Sequence, residues 1–144
     1  MTLLFQKLSK KMMNNAEALL KNLSCELGLA YESQDWGIIN ADPKRLREFI
    51  QFYKTQYFCL SATQKFDLGE LIMASANEAI LEELITEETF TLFLQFIRKY
   101  RKELEYHLKY WSSLEDTEEF PIIQILAESV NKLNEVGRIS KKRS

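Results

Sequence analysis

Glycine and proline are scarce in this chain, with four and two copies in 144 residues. An all-β or α/β chain places those residues in its tight turns, so their scarcity points away from both classes. Histidine occurs once, at His107, and cysteine twice, at Cys25 and Cys59, without C-x-x-C spacing. No paired Cys or His stands at the spacing of a zinc site. A di-iron bundle needs Glu-x-x-His on two helices, whereas Glu103 and Glu105 precede the single histidine by four and two residues. The run L-E-D-T-E-E-F at 114–120 lacks the glycine and the alternation of a calcium loop. No G-x-x-x-x-G-K-[ST] or G-x-G-x-x-G loop offers backbone amides to a phosphate. No metal, cofactor or catalytic group is therefore expected. The two thiols are expected to be reduced and buried.

Long apolar runs are missing as well. None approaches the ~20 residues needed to cross a bilayer. The opening M-T-L-L-F-Q-K-L-S-K-K-M-M carries its lysines after the first apolar residues, whereas a signal peptide carries them before an unbroken apolar run. No export signal is expected, and the chain reads as cytoplasmic.

What is present is helical in character. Hydrophobic residues make up 46 % of the chain, enough for one domain with a core. Leu, Glu, Lys, Ala and Gln, all good helix formers, are abundant. Leu4, Leu8, Met12, Ala16, Leu20, Leu23 and Leu27 recur at helical spacing, Asn14-Asn15 is a soft spot, and Gly28 is a stop. Residues 29–42 show no sustained period and read as the longest connection. Asp42-Pro43 starts a second helix with Leu46, Phe49, Ile50, Tyr53 and Tyr57 inward. Ser61 and Gln64 form a capping box for a third, whose apolar face includes Phe66, Leu68, Leu71, Ile72, Ala76, Ala79, Ile80 and Leu84. Thr86 caps a fourth, with one stripe from Phe90 to Trp111 over about 25 residues, or ~38 Å. Pro121 opens the last helix and Gly137 closes it. The pattern predicts an all-α, single-domain bundle of about five amphipathic helices over residues 1–137, followed by a basic tail at 138–144.

The hexapeptides F-I-Q-F-Y-K at 49–54 and F-L-Q-F-I-R at 93–98 resemble each other. Two helical hairpins after an N-terminal helix would account for them, and so would a shared need for inward aromatics.

Charge is distributed unevenly. Basic clusters stand at Lys44/Arg45/Arg47, at Arg98/Lys99/Arg101/Lys102 and in the tail, but a pI near 5.6 gives no basic field to hold nucleic acid. They read as helix faces paired with nearby glutamates, and His107 reads as a flank residue hydrogen-bonded to a carboxylate. Between Phe66 and Ile97, by contrast, stand seven acids and no Lys or Arg. Asp67, Glu70, Glu78 and Glu82 fall on one ridge of the third helix, roughly opposite its apolar face. Glu115, Asp116, Glu118 and Glu119 form a second acidic group at the start of the last helix, beside Tyr110 and Trp111. Aromatic anchors ringed by carboxylates suit a protein that binds something positively charged.

The stretches F-D-L-G-E-L-I-M-A-S-A-N-E-A-I (66–80) and Y-W-S-S-L-E-D-T-E-E-F-P-I (110–122) resemble segments of small all-helical bacterial immunity proteins of polymorphic toxin and contact-dependent growth inhibition systems. That resemblance implies a cytoplasmic, non-enzymatic protein that binds and blocks a cognate toxin domain. The charges alone allow the same reading, because a nucleic-acid-cleaving domain is basic and an acidic helix can occupy its substrate site. Asp67, Glu70, Glu78 and Glu82 would steer and dock, and Trp111, Glu115, Asp116, Glu118 and Glu119 would complete the interface. The rival readings are a regulatory or scaffold module that binds through an apolar groove, and an enzyme whose site no motif marks, for which loss of activity in His107→Ala with the fold intact would be the sign.

Overall fold

Helix boundaries fall where local capping chemistry puts them. The computed structural model describes residues 2–114, with side chains from Asn15 onward, together with Ile122 and Ile125. Helix α1 (Thr2–Leu27) runs unbroken through Asn14-Asn15. It ends in a left-handed Gly28 at φ +65°, where the Leu29 and Gly28 N–H groups donate to the Ser24 and Cys25 carbonyls. Asp42 accepts from the Lys44 N–H and starts a 3-10 turn at Pro43–Arg45 that leads into α3 (Leu46–Gln56). Ser61 and Gln64 exchange both bonds of a capping box at the head of α4 (Ala62–Leu81). Thr86 caps α5 (Glu87–Lys99), with Glu87 and Glu88 at its positive end. Among the described residues there is no strand, so the chain is all-α, and no helix is long and apolar enough to cross a membrane.

Two expectations change. Residues 29–42 hold a short helix, α2 (Trp36–Ile39), pinned by its own contacts. The Trp36 indole N–H donates to Ser24 Oγ at 2.8 Å, and the Asn40 side chain bonds the backbone of Ala30 and Trp36. The long fourth helix is also two helices, α5 and α6 (Glu105–Ser112), so the described residues hold six helices where the sequence placed four of its five. Arg98 lies three and four residues before Arg101 and Lys102, and such like-charge pairs weaken a helix. Expected pairing with the following glutamates does not form there. Glu105 pairs instead with Lys109 at 3.0 Å, and Glu103 accepts from the Tyr57 hydroxyl.

Helix α4 is the axis of the fold. It packs against α1, α2, α3 and α6, and α3 also packs on α5. The two similar hexapeptides lie on α3 and α5, and both turn Phe and Tyr or Ile side chains into their shared core. Two glycines set how close the neighbours of α4 come. A Cβ at Gly37 would stand 2.7 Å from the Leu71 backbone nitrogen, and one at Gly69 would stand 3.0 Å from His107 and Leu104. Helices α2 and α6 thus press on α4 from two sides at neighbouring levels. Ile122 is fully buried and its N–H donates to Asn77 Oδ1 at 3.2 Å. The basic tail and most of the last helix lie outside the described residues.

Candidate functional site

Between α2 and α6, over the middle of α4, lies a cleft of about 200 Å³. Its described lining is Asp35 at the head of α2, Ile38 on α2, Glu70 on α4, and Tyr106, His107, Tyr110 and Trp111 on α6. Tyr106 is 62 % exposed and Tyr110 46 %, so their rings form the rim. Trp111 is 5 % exposed and His107 2 %, so both belong to the floor.

Glu70 does structural work at the head of α2. Its Oε1 accepts the Gly37 N–H at 3.2 Å. Burial pushes its carboxyl up, the Gly37 bond acts the other way, the nearby Asp35 charge pushes it up again, and the Ile38 backbone N–H draws it down. Asp67, one turn earlier and half-buried, is pushed up to about 6 by burial and by the Glu70 charge. Glu78 is raised by burial and then by Glu82 and Asp42. Each of these three carboxylates therefore has other acids for charged neighbours. Among the described residues none of them pairs with a cation.

His107 departs from expectation. It bonds no carboxylate: its Nε2–H donates to the Phe66 carbonyl at 2.8 Å, and its ring stacks near Phe66 at 4.4 Å. A carbonyl only accepts, so the proton sits on Nε2. Burial holds the imidazole below its usual range, which keeps it neutral at pH 7. The cysteines are a second departure, since both are free and exposed rather than buried.

Of the residues singled out in the sequence, Glu70 and Trp111 meet in the cleft, with Asp67 adjacent to Glu70. Glu78 and Glu82 lie roughly 12 Å or more further along α4. The ridge as a whole is not an open face: Asp67, Glu70 and Glu78 are half-buried, Ala74 between them is buried, and only Glu82 is exposed. Helix α2 lies across its middle. Glu115, Asp116, Glu118 and Glu119 fall outside the described residues. Asp35, Ile38 and Tyr106 carried no sequence signal that was used. Tyr106 and Tyr110, four apart and off the Leu104–Leu108 stripe, were the available one.

Among the described residues no three His, Cys, Asp or Glu side chains gather as metal ligands. Comparison of the chain with protein-family models, with curated proteins and with solved structures yields no match.

Proposed function

We propose that this protein is a non-enzymatic binding module that engages a basic protein partner through the acid-bearing side of α4. In the form the sequence resemblance implies, it is an immunity protein that neutralises a basic, nucleic-acid-cleaving bacterial toxin domain. The observation that carries the reading is the set of half-buried carboxylates Asp67, Glu70 and Glu78, raised first by burial and then by neighbouring acids, with no basic side chain paired to them among the described residues. An isolated fold gains nothing from that arrangement, whereas a bound cation would relieve it. The exposed aromatics Tyr106 and Tyr110 beside Glu70 add contact area of the kind that anchors interfaces.

A second reading draws on the same rim. Ile38 at 47 % exposure, with Tyr106 and Tyr110, would suit docking through an apolar groove. The two differ in salt dependence, because exposed charge pairs weaken with ionic strength and apolar contacts do not.

The test is capture by the tagged chain from cells of its native host at low and high salt, with mass spectrometry of what is retained. The expected result is one basic protein, lost at high salt, whose nuclease activity the chain blocks. A partner retained equally at both salts, and by a Glu70→Lys/Glu78→Lys/Glu82→Lys variant, would favour the apolar groove.

A further inference from the structure

The cleft is selective in what its walls can hold. Its described lining has two carboxylates, Asp35 and Glu70, and no Lys or Arg. Two exposed tyrosine rings stand at its rim, over a floor of indole and a neutral, hydrogen-bonded imidazole. At about 200 Å³ it is smaller than the pockets that take whole drug-sized ligands, and it has room for the head of one side chain. An anion would meet Asp35 and Glu70. A small metal ion would want several oxygens close together, and one Glu70 oxygen already holds the Gly37 N–H. A lysine ammonium is compact and strongly hydrated, and it meets aromatic faces as a point charge without a plane to stack. A guanidinium is planar and more weakly hydrated, stacks on aromatic faces and pairs with carboxylate oxygens.

We propose that the cleft between α2, α4 and α6 is a guanidinium site, which takes an arginine side chain from a basic protein segment, with Glu70 and Asp35 pairing its charge and Tyr106 and Tyr110 flanking its plane. The inference rests on the basic-partner reading above and adds which side chain that partner presents. Glu70 has two tasks at this site. One oxygen holds α2 in place, which fixes the far wall of the cleft, and the carboxylate supplies the charge.

The probes are the capped tripeptide Gly-Arg-Gly and its lysine and citrulline counterparts, titrated into the full chain at low salt. The readout is the indole N–H resonance of Trp111 in a ¹H–¹⁵N spectrum. Arginine is expected to bind about fivefold more tightly than lysine, and citrulline, which keeps the shape and loses the charge, about tenfold more weakly than arginine. Glu70→Gln keeps an acceptor for Gly37 and is expected to weaken the arginine peptide about tenfold. Tyr106→Ala, at an exposed position, is expected to weaken it about fivefold, and Glu17→Gln, exposed on α1 away from the cleft, to leave it unchanged. Equal binding of arginine and citrulline, or indifference to Glu70→Gln, would overturn the proposal. The partner-capture experiment separates the two ideas. If Glu70→Gln and Tyr106→Ala capture the basic partner as well as the natural chain does, the guanidinium site falls and the binding module stands. If the arginine peptide binds through Glu70 while no basic partner is captured, the site stands without that module.

Discussion

Glu103 and the carboxylates along α4 show how differently one fold can treat the same group. Glu103 accepts a hydrogen bond from the Tyr57 hydroxyl, and that bond, aided by Lys65 and Lys102 nearby, holds its carboxyl below the usual range. Lys65 also lies over the Tyr57 ring at 3.8 Å, so the local charges close on one another. Asp67, Glu70 and Glu78 are raised instead, first by burial and then by other acids. A carboxylate lowered by its own neighbours is a finished piece of structure. One raised by them is stabilised by whatever cation arrives from outside. The contrast locates the binding face more sharply than a count of acids does.

The largest effect should come from reversing the unfinished side. Glu70→Lys/Glu78→Lys/Glu82→Lys is expected to weaken a basic partner by at least about a hundredfold while far-ultraviolet circular dichroism stays helical. Next comes the element that buries those acids. Gly37→Ala would force a Cβ to within 2.7 Å of the Leu71 nitrogen, so urea unfolding should show a loss of about 2 kcal/mol. By lifting α2 off α4 it should also return the Glu70 carboxyl toward its ordinary value.

Asp67→Asn probes the contrast through pH. The folded carboxyl titrates at about 6, above the unfolded chain's ordinary value, so the native state binds more protons between those values. Stability from this group is therefore present at low pH and lost as pH rises through about 6. The variant should be more stable than the natural chain by about 1 kcal/mol at pH 7, discounted for partial exposure, and indistinguishable near pH 4. Binding of a basic partner should run the other way in the natural chain, and strengthen as pH rises from 5 to 7.

The smallest effect lies near the settled carboxylate. The Tyr53 hydroxyl is buried without a hydrogen-bond partner, and the Tyr53 ring meets those of Phe96 and Tyr100 edge-on at centroid distances of 5.0 and 4.9 Å. Removing an unsatisfied group of that kind is neutral or favourable, so Tyr53→Phe should gain up to about 1 kcal/mol in a thermal melt. A loss of stability would mean that the hydroxyl is engaged after all.

Most of the fold was legible because its punctuation is local. Gly28, Asp42-Pro43, Ser61 with Gln64, and Thr86 each act within a turn of the residues they cap. The break between α5 and α6 was not legible, because the N–H groups of Tyr100, Leu104 and Leu108 still bond four residues back and the apolar stripe continues through it. Helix α2, four residues long, is too short to show a period. Its effect on the site is larger than its length. The acids of α4 read as a solvent face in sequence, and it is the non-local packing of α2 and the Pro43–Arg45 turn on α4 that covers part of that face. The cleft was hidden for the same reason, since Asp35, Glu70 and Tyr106 are far apart in the chain.

The most direct measurement is a ¹³C titration of the side-chain carboxyls of Asp67, Glu70, Glu78 and Glu103, in the free protein and with a tetra-arginine peptide. In the free protein Asp67 should titrate near 6, Glu70 and Glu78 above the ordinary carboxylate value, and Glu103 below it. Added peptide should lower the first three and leave Glu103 where it was. Ordinary values along α4, or values that the peptide does not move, would contradict the account.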